Sequence, residues 1–119
     1  MYDLTGITFL TFIRLDNDER IANLRAMTQF YRKYCINYQH ILVEDDETSK
    51  VPAHIDIIED DVYIFTNLMK YVYNKLKKKE EIGYKGLQWG NYHHQISSAH
   101  IFNRDNKLVE LILKGEANE

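Results

Sequence analysis

Ile7-Thr8-Phe9-Leu10-Thr11-Phe12-Ile13-Arg14-Leu15 is dense in β-branched and aromatic residues, the composition of a strand. Its apolar residues are nearly continuous, which suits a strand covered on both faces. Asp16 precedes Glu19 by three positions, the spacing of a capping box, although that motif proper opens with Ser or Thr. A helix is expected to follow, with Ile21, Leu24, Met27, Tyr31 and Tyr34 forming one apolar face at three- and four-residue spacing. Residues 38 to 43, Tyr-Gln-His-Ile-Leu-Val, then read as a second strand, closed by Glu44-Asp45-Asp46. Strand, helix and strand with short joints make a βαβ unit, expected to be parallel with a right-handed crossover. Carboxylates at the C-terminal end of its second strand stand where open α/β sheets place their ligands, although acidic turns after strands are also common.

Outward from that unit, residues 47 to 53 are polar and contain Pro52, so they read as a loop. Ile55-Asp56-Ile57-Ile58 is either a short strand or the lead into a helix. That helix is expected to start at Asp60 or Asp61 and to bury Phe65, Leu68, Met69, Val72 and Leu76. Residues 80 to 90 form a connection punctuated by Gly83, Gly86 and Gly90. Residues 91 to 102 read as a strand in which 94, 96, 98, 100 and 102 share one face. Asp105 can cap a last helix that buries Leu108, Leu111 and Ile112. The fold class is therefore a small single α/β domain with a partly parallel sheet, in strand–helix–strand–helix–strand–helix order.

The 119 residues suffice for one core, and 45% apolar with 28% charged residues is ordinary for a globular protein. A formal charge of −3 gives no general case for nucleic-acid binding, and Lys75, Lys77, Lys78 and Lys79 read as a solvated helix end. Cys35 is the only cysteine, so no internal disulfide forms, and it reads as a packed thiol near a helix end. The first six residues lack a basic segment ahead of an apolar core, and no apolar run is long enough to span a bilayer. These features predict a cytoplasmic protein with no membrane partner.

The histidine-rich segment after Gly90 is the first place to look for a polar site. His94 and His100 share a strand face, but six residues of extended chain separate them by roughly 20 Å. They cannot ligate one metal without a sharp bend, and His93 points to the other face, so no metal site is assigned. Neither standard phosphate loop is present, nor a Gly-x-Ser-x-Gly turn. His40 reads as a strand histidine. No nucleophile–base pair emerges from spacing, so no catalytic residue is assigned.

In residues 57–105, Asp61, Phe65 and Leu68, followed by Gly90, Ser98, His100 and Phe102, keep a spacing that resembles the C-terminal half of thymidylate synthases and pyrimidine hydroxymethylases. The resemblance implies a pyrimidine-nucleotide site lined by Asp61, His94, Ser98 and His100. Asp61 would read the ring edge, where an acid presents a different donor and acceptor set from an amide and can suit cytosine. His100 would approach the ribose 3′-hydroxyl. Phe102 stands where that family has Tyr and lacks its hydroxyl. The family's nucleophilic Cys and its Arg-Ser phosphate-binding motif have no counterpart in residues 1–56. Without the thiolate no covalent intermediate forms, so the implied protein binds a nucleotide without synthase activity of its own.

Residues 5–46 resemble the start of a family-2-type glycosyltransferase of GT-A fold. The residues carrying this are 8 to 16, 19 to 24, and Ile41-Leu42-Val43-Glu44-Asp45. That resemblance implies a UDP-sugar pocket bordered by Arg14 and Asp16, with Glu44 or Asp45 on the uridine. Its Mn²⁺ or Mg²⁺ would need an Asp-x-Asp motif that Glu59-Asp60-Asp61 imitates only in part, and the acceptor half has no counterpart. The two resemblances meet near residues 47–56, and what they share is a pyrimidine nucleotide. Pyrimidine hydroxymethylation followed by glycosylation also occurs in DNA-modifying phage systems. A third expectation is an interaction module in which some of the nine tyrosines face a partner or a second copy in a homodimer.

Overall fold

The computed structural model describes residues 1–55, 62–83 and 99–115. Its elements, in chain order, are β1 (Tyr2–Asp3), β2 (Ile7–Ile13), α1 (Asp18–Tyr34), β3 (Cys35–Ile36), β4 (Gln39–Glu44), α2 (Val51–His54), β5 (Val62–Thr66), α3 (Met69–Lys77), β6 (Ala99–Asn103) and α4 (Lys107–Leu113). Four strands form a sheet in the order β5-β4-β2-β6, and β1 pairs with β3 in a separate two-stranded ribbon. β5, β4 and β2 run parallel, and β6 is antiparallel to β2. The fold is α/β with a partly parallel sheet, as the sequence predicts.

The pleat sends alternate residues of each strand to opposite faces, and each face is covered by helices. On one side Ile13 and Leu42 pack with Ile21 and Leu24 of α1 and with Val51 and Ile55 around α2. On the other, Leu10, Ile41, Val43 and Phe102 pack with Leu68 and Val72 around α3 and with Leu108, Val109 and Ile112 of α4. Leu10, Ile41, Leu42, Leu108 and Ile112 have no exposed surface. Full burial of such a side chain contributes about 1.5–3 kcal/mol. The near-continuous apolar run of β2 is thus explained by its central position, with both faces in use.

α1 begins one residue later than the capping-box spacing implies. Asn17, not Asp16, is the cap, its side-chain oxygen accepting from the Arg20 N–H at 2.9 Å. Asn106, not Asp105, caps α4 in the same way, accepting from the Leu108 N–H at 2.8 Å. In both places the amide sits at the position whose backbone is extended, where a cap belongs. The expected apolar face of α1 is partly corrected. Ile21 and Leu24 are buried, Met27 and Tyr31 are half-buried, and Tyr34 is exposed. Thr28 takes an interior position instead, its hydroxyl donating to the carbonyls of Leu24 and Arg25.

The largest departure lies at Val62–Thr66. The helix expected from Asp60 or Asp61 starts only at Met69, and the preceding run is strand β5, paired with β4 from His40↔Val62 to Glu44↔Thr66. Val-Tyr-Ile-Phe-Thr is β-branched and aromatic throughout, and pairing with an otherwise open edge of β4 overrides the helical spacing of Phe65 and Leu68. Asn67, at φ 60°, makes the turn into α3, where Met69, Val72 and Leu76 face the core as expected. The polar loop through Pro52 closes into the short helix α2, with proline in its first turn where the missing N–H costs nothing. Cys35 is half-buried and opens β3, opposite Tyr2. The strand expected over 91–102 is seen from Ala99, and residues 91–98 lie outside the described residues. Among the described residues, no helix is long and apolar enough to cross a membrane.

Candidate ligand-binding cleft

Among the described residues, β6 pairs with β2 from Ile7↔Asn103 to Thr11↔Ala99, and Phe12 and Ile13 follow at the C-terminal end of β2. There the chain leaves the sheet through Arg14 and Leu15 and enters α1. A cleft of about 510 Å³ opens at this point. Thr11 to Leu15 form its floor, Arg20, Asn23, Leu24 and Met27 of α1 one wall, and Met69 and Tyr73 of α3 the other. The volume lies within the range of small-molecule sites. Its place, at the C-terminal end of a central parallel strand and beside the neighbour of opposite direction, is where open α/β sheets bind ligands.

Two guanidinium groups border the cleft, and each is held by a carboxylate. Arg14 donates from Nε at 2.9 Å and from Nη2 at 2.5 Å to the same oxygen of Asp45. Asp45 is fixed against the end of β2, its N–H donating to the Ile13 carbonyl at 2.9 Å. The hydrogen bonds and charge of Asp45 raise the Arg14 pKa further. Arg20 donates from Nη1 to Asp16 at 3.1 Å. Apolar and aromatic surface lies below these charges. Phe12 and Tyr73 stand 5.0 Å apart between ring centres, and Tyr73 is half exposed.

Behind the floor, Thr11 Oγ1 lies 3.0 Å from His40 Nε2. Tyr31, itself stacked on Phe9 at 4.4 Å, meets the imidazole edge-on at 5.3 Å. Burial pushes the His40 pKa down to about 4, so the ring is neutral at pH 7. The ring stands on β4 within the sheet interior, the strand position that the sequence predicts for it.

Of the residues that the sequence singles out, Arg14 lines the cleft, and Asp16 and Asp45 act on it through the two arginines. Glu44 does not reach it. Its side chain is fully buried and turned toward α2, where Oε2 accepts the Lys50 N–H at 2.9 Å and Oε1 has no partner among the described residues. The resemblance expects Glu44 or Asp45 on a uridine, and of the two it is Asp45 that stands beside a cleft residue, Arg14. Glu44 lies on the same sheet face as Leu42 and α2, and its hydrogen bond with the Lys50 N–H holds the carboxylate there, away from the cleft. His100 stands on β6 with its ring edge-on to Phe12 at 5.9 Å, one ring behind the cleft floor. Burial, and secondarily the charge of Lys79, lowers its pKa. Asp60, Asp61, His94 and Ser98 lie outside the described residues.

The sequence assigns no site role to Arg20, Asn23, Met27 or Tyr73. Arg20, Asn23 and Met27 follow one another by three and four positions, so they share a stripe of α1, and that spacing was the available signal. Among the described residues, no three His, Cys, Asp or Glu side chains converge to hold a metal ion. No protein-family model matches the chain, and neither does any curated protein or solved structure compared with it.

Proposed function

We propose that the chain binds a pyrimidine nucleotide in the cleft at the end of β2 and has no synthase or transferase activity by itself. The observation that carries this reading is the union of two arginines and an aromatic wall around one cleft of ligand size. Phosphate is recognised by planar guanidinium donors, here Arg14 and Arg20. A planar base is accommodated by aromatic and thioether surface, here Tyr73, Phe12, Met27 and Met69. The glycosyltransferase-like resemblance points to the same place, whereas of the four site residues that the synthase-like resemblance implies only His100 is among the described residues. Arg14, Asp16 and Asp45 gather at the mouth, and His100 lies one ring behind the floor. A UDP-sugar is the alternative ligand and would occupy the same cleft, although the metal of such an enzyme finds no cluster of three ligands among the described residues.

The test is thermal unfolding with dUMP, dCMP, or UDP-glucose plus Mn²⁺. Ligand at a hundred times its dissociation constant stabilises the folded state by about 2.7 kcal/mol, a readily measured shift. Stabilisation by dCMP or dUMP, lost in Arg14→Ala and Arg20→Ala, is the expected outcome. A shift only with UDP-glucose and metal selects the alternative, and no shift with any ligand refutes the reading.

A second reading has its own observation. Phe30 and Ile101 are 57% and 63% exposed, and Tyr34 beside Phe30 is also exposed. These residues suit an interaction module, and a mass that rises with concentration would identify self-association as its basis.

A further inference from the structure

Resting on the nucleotide reading of the cleft, we propose that Asp45 sets the affinity of the site by occupying Arg14 until a phosphate displaces it. Arg14 spends two of its donors on a single oxygen of Asp45, a weaker use of the guanidinium fork than a two-oxygen phosphate contact. The side chains of Arg14 and Asp45 are 54% and 40% exposed, so an incoming anion can reach both. Exposed ion pairs contribute little net stability, which makes the exchange feasible.

Asp45 cannot simply drift away once displaced. Its backbone N–H is bound to the Ile13 carbonyl, which keeps the carboxylate beside the cleft mouth. There it repels the phosphate that replaced it. The second pair, Arg20 with Asp16, leaves the mouth with two cations matched by two anions. A nucleotide therefore meets little net attraction before it breaks into one of these pairs. This assigns Asp45 a role opposite to a direct ligand contact. Removing its charge strengthens binding, whereas removing a contact would weaken it.

Calorimetric titration of the full chain with UDP and with dCMP at low ionic strength separates these cases. Asp45→Asn and Asp45→Ser are expected to bind about two- to five-fold more tightly than wild type. Asp45→Glu keeps the charge and should remain near wild type. Circular dichroism verifies that each variant is folded. Unchanged or weaker binding in folded Asp45→Asn and Asp45→Ser, with wild type still binding, overturns the proposal and leaves the nucleotide reading standing. Failure of wild type and every variant to bind either nucleotide overturns both.

Discussion

Thr11 Oγ1 and His40 Nε2, 3.0 Å apart, join the two central parallel strands beneath α1. The strands place these residues in adjacent register, where Phe9 is the direct neighbour of His40 and Thr11 lies two positions further on the same face. The contact satisfies a buried imidazole nitrogen and a buried hydroxyl together, and leaving either unpaired would cost about 1–3 kcal/mol. It also positions Thr11 at the cleft floor, so a core interaction and the candidate site share one residue.

The buried imidazole makes stability depend on pH. Folding lowers the pKa of His40 from 6.5 to about 4, so the unfolded chain binds the proton first as pH falls. The contribution of His40 is fully present above about pH 6.5 and is lost progressively down to about pH 4, for a total of about 3 kcal/mol. Urea unfolding at pH 7.5 and 4.5 should therefore show a larger loss for wild type than for His40→Gln. Equal losses would mean that His40 is solvated in the folded protein.

The packing of the sheet predicts a sharp contrast between its interior and its exposed positions. Leu10→Ala and Ile41→Ala should each cost about 2–5 kcal/mol, because no water reaches either side chain. Ile101→Ala should fall within about 0.5 kcal/mol of wild type, since that side chain is largely exposed. Chemical denaturation measures all three.

Cap identity is also testable. Asn17→Ala should destabilise the protein by about 1 kcal/mol, the usual loss when a side-chain cap is removed. Asp16→Ala should leave unfolding close to wild type, because Asp16 bonds to the Arg20 side chain and not to a helix N–H. The reverse order in thermal melts would restore Asp16 as the cap.

Arg20→Ala and Tyr73→Ala are expected to weaken nucleotide binding about ten-fold or more while leaving the melting temperature of the unliganded protein nearly unchanged. Both side chains line the cleft and neither belongs to the buried core. Titration of the folded variants measures the first effect, and calorimetric melting measures the second.

Much of this arrangement is legible in the residues themselves. The apolar run from Ile7, the periodic face at Ile21 and Leu24, and the run into Val43 are enough to predict the βαβ unit. Val62–Thr66 is not legible in the same way, because Phe65, Leu68, Met69 and Val72 satisfy a helical stripe whether or not the first of them lies in a helix. The open edge of β4 decides between the two, and edges belong to tertiary structure. Arg14 is singled out only through the glycosyltransferase-like resemblance, which puts it beside a nucleotide pocket. Arg20 is not, since a charged residue in the first turns of a helix ordinarily faces solvent. The cleft joins Thr11 to Tyr73, on elements that meet only when both faces of the sheet are covered. Glu44 is a different case. It stands in the same acidic run as Asp45, but its hydrogen bond with the Lys50 N–H holds it inward beside α2.

The most direct test of the central claim is a ¹⁵N-resolved NMR titration of the full chain with dCMP and with UDP. The account predicts saturable shifts of the Arg14, Leu15, Asn23 and Tyr73 amides and of the Arg14 and Arg20 side-chain NHε signals. Saturation that leaves these signals unmoved, or no saturable shifts at all, would contradict it.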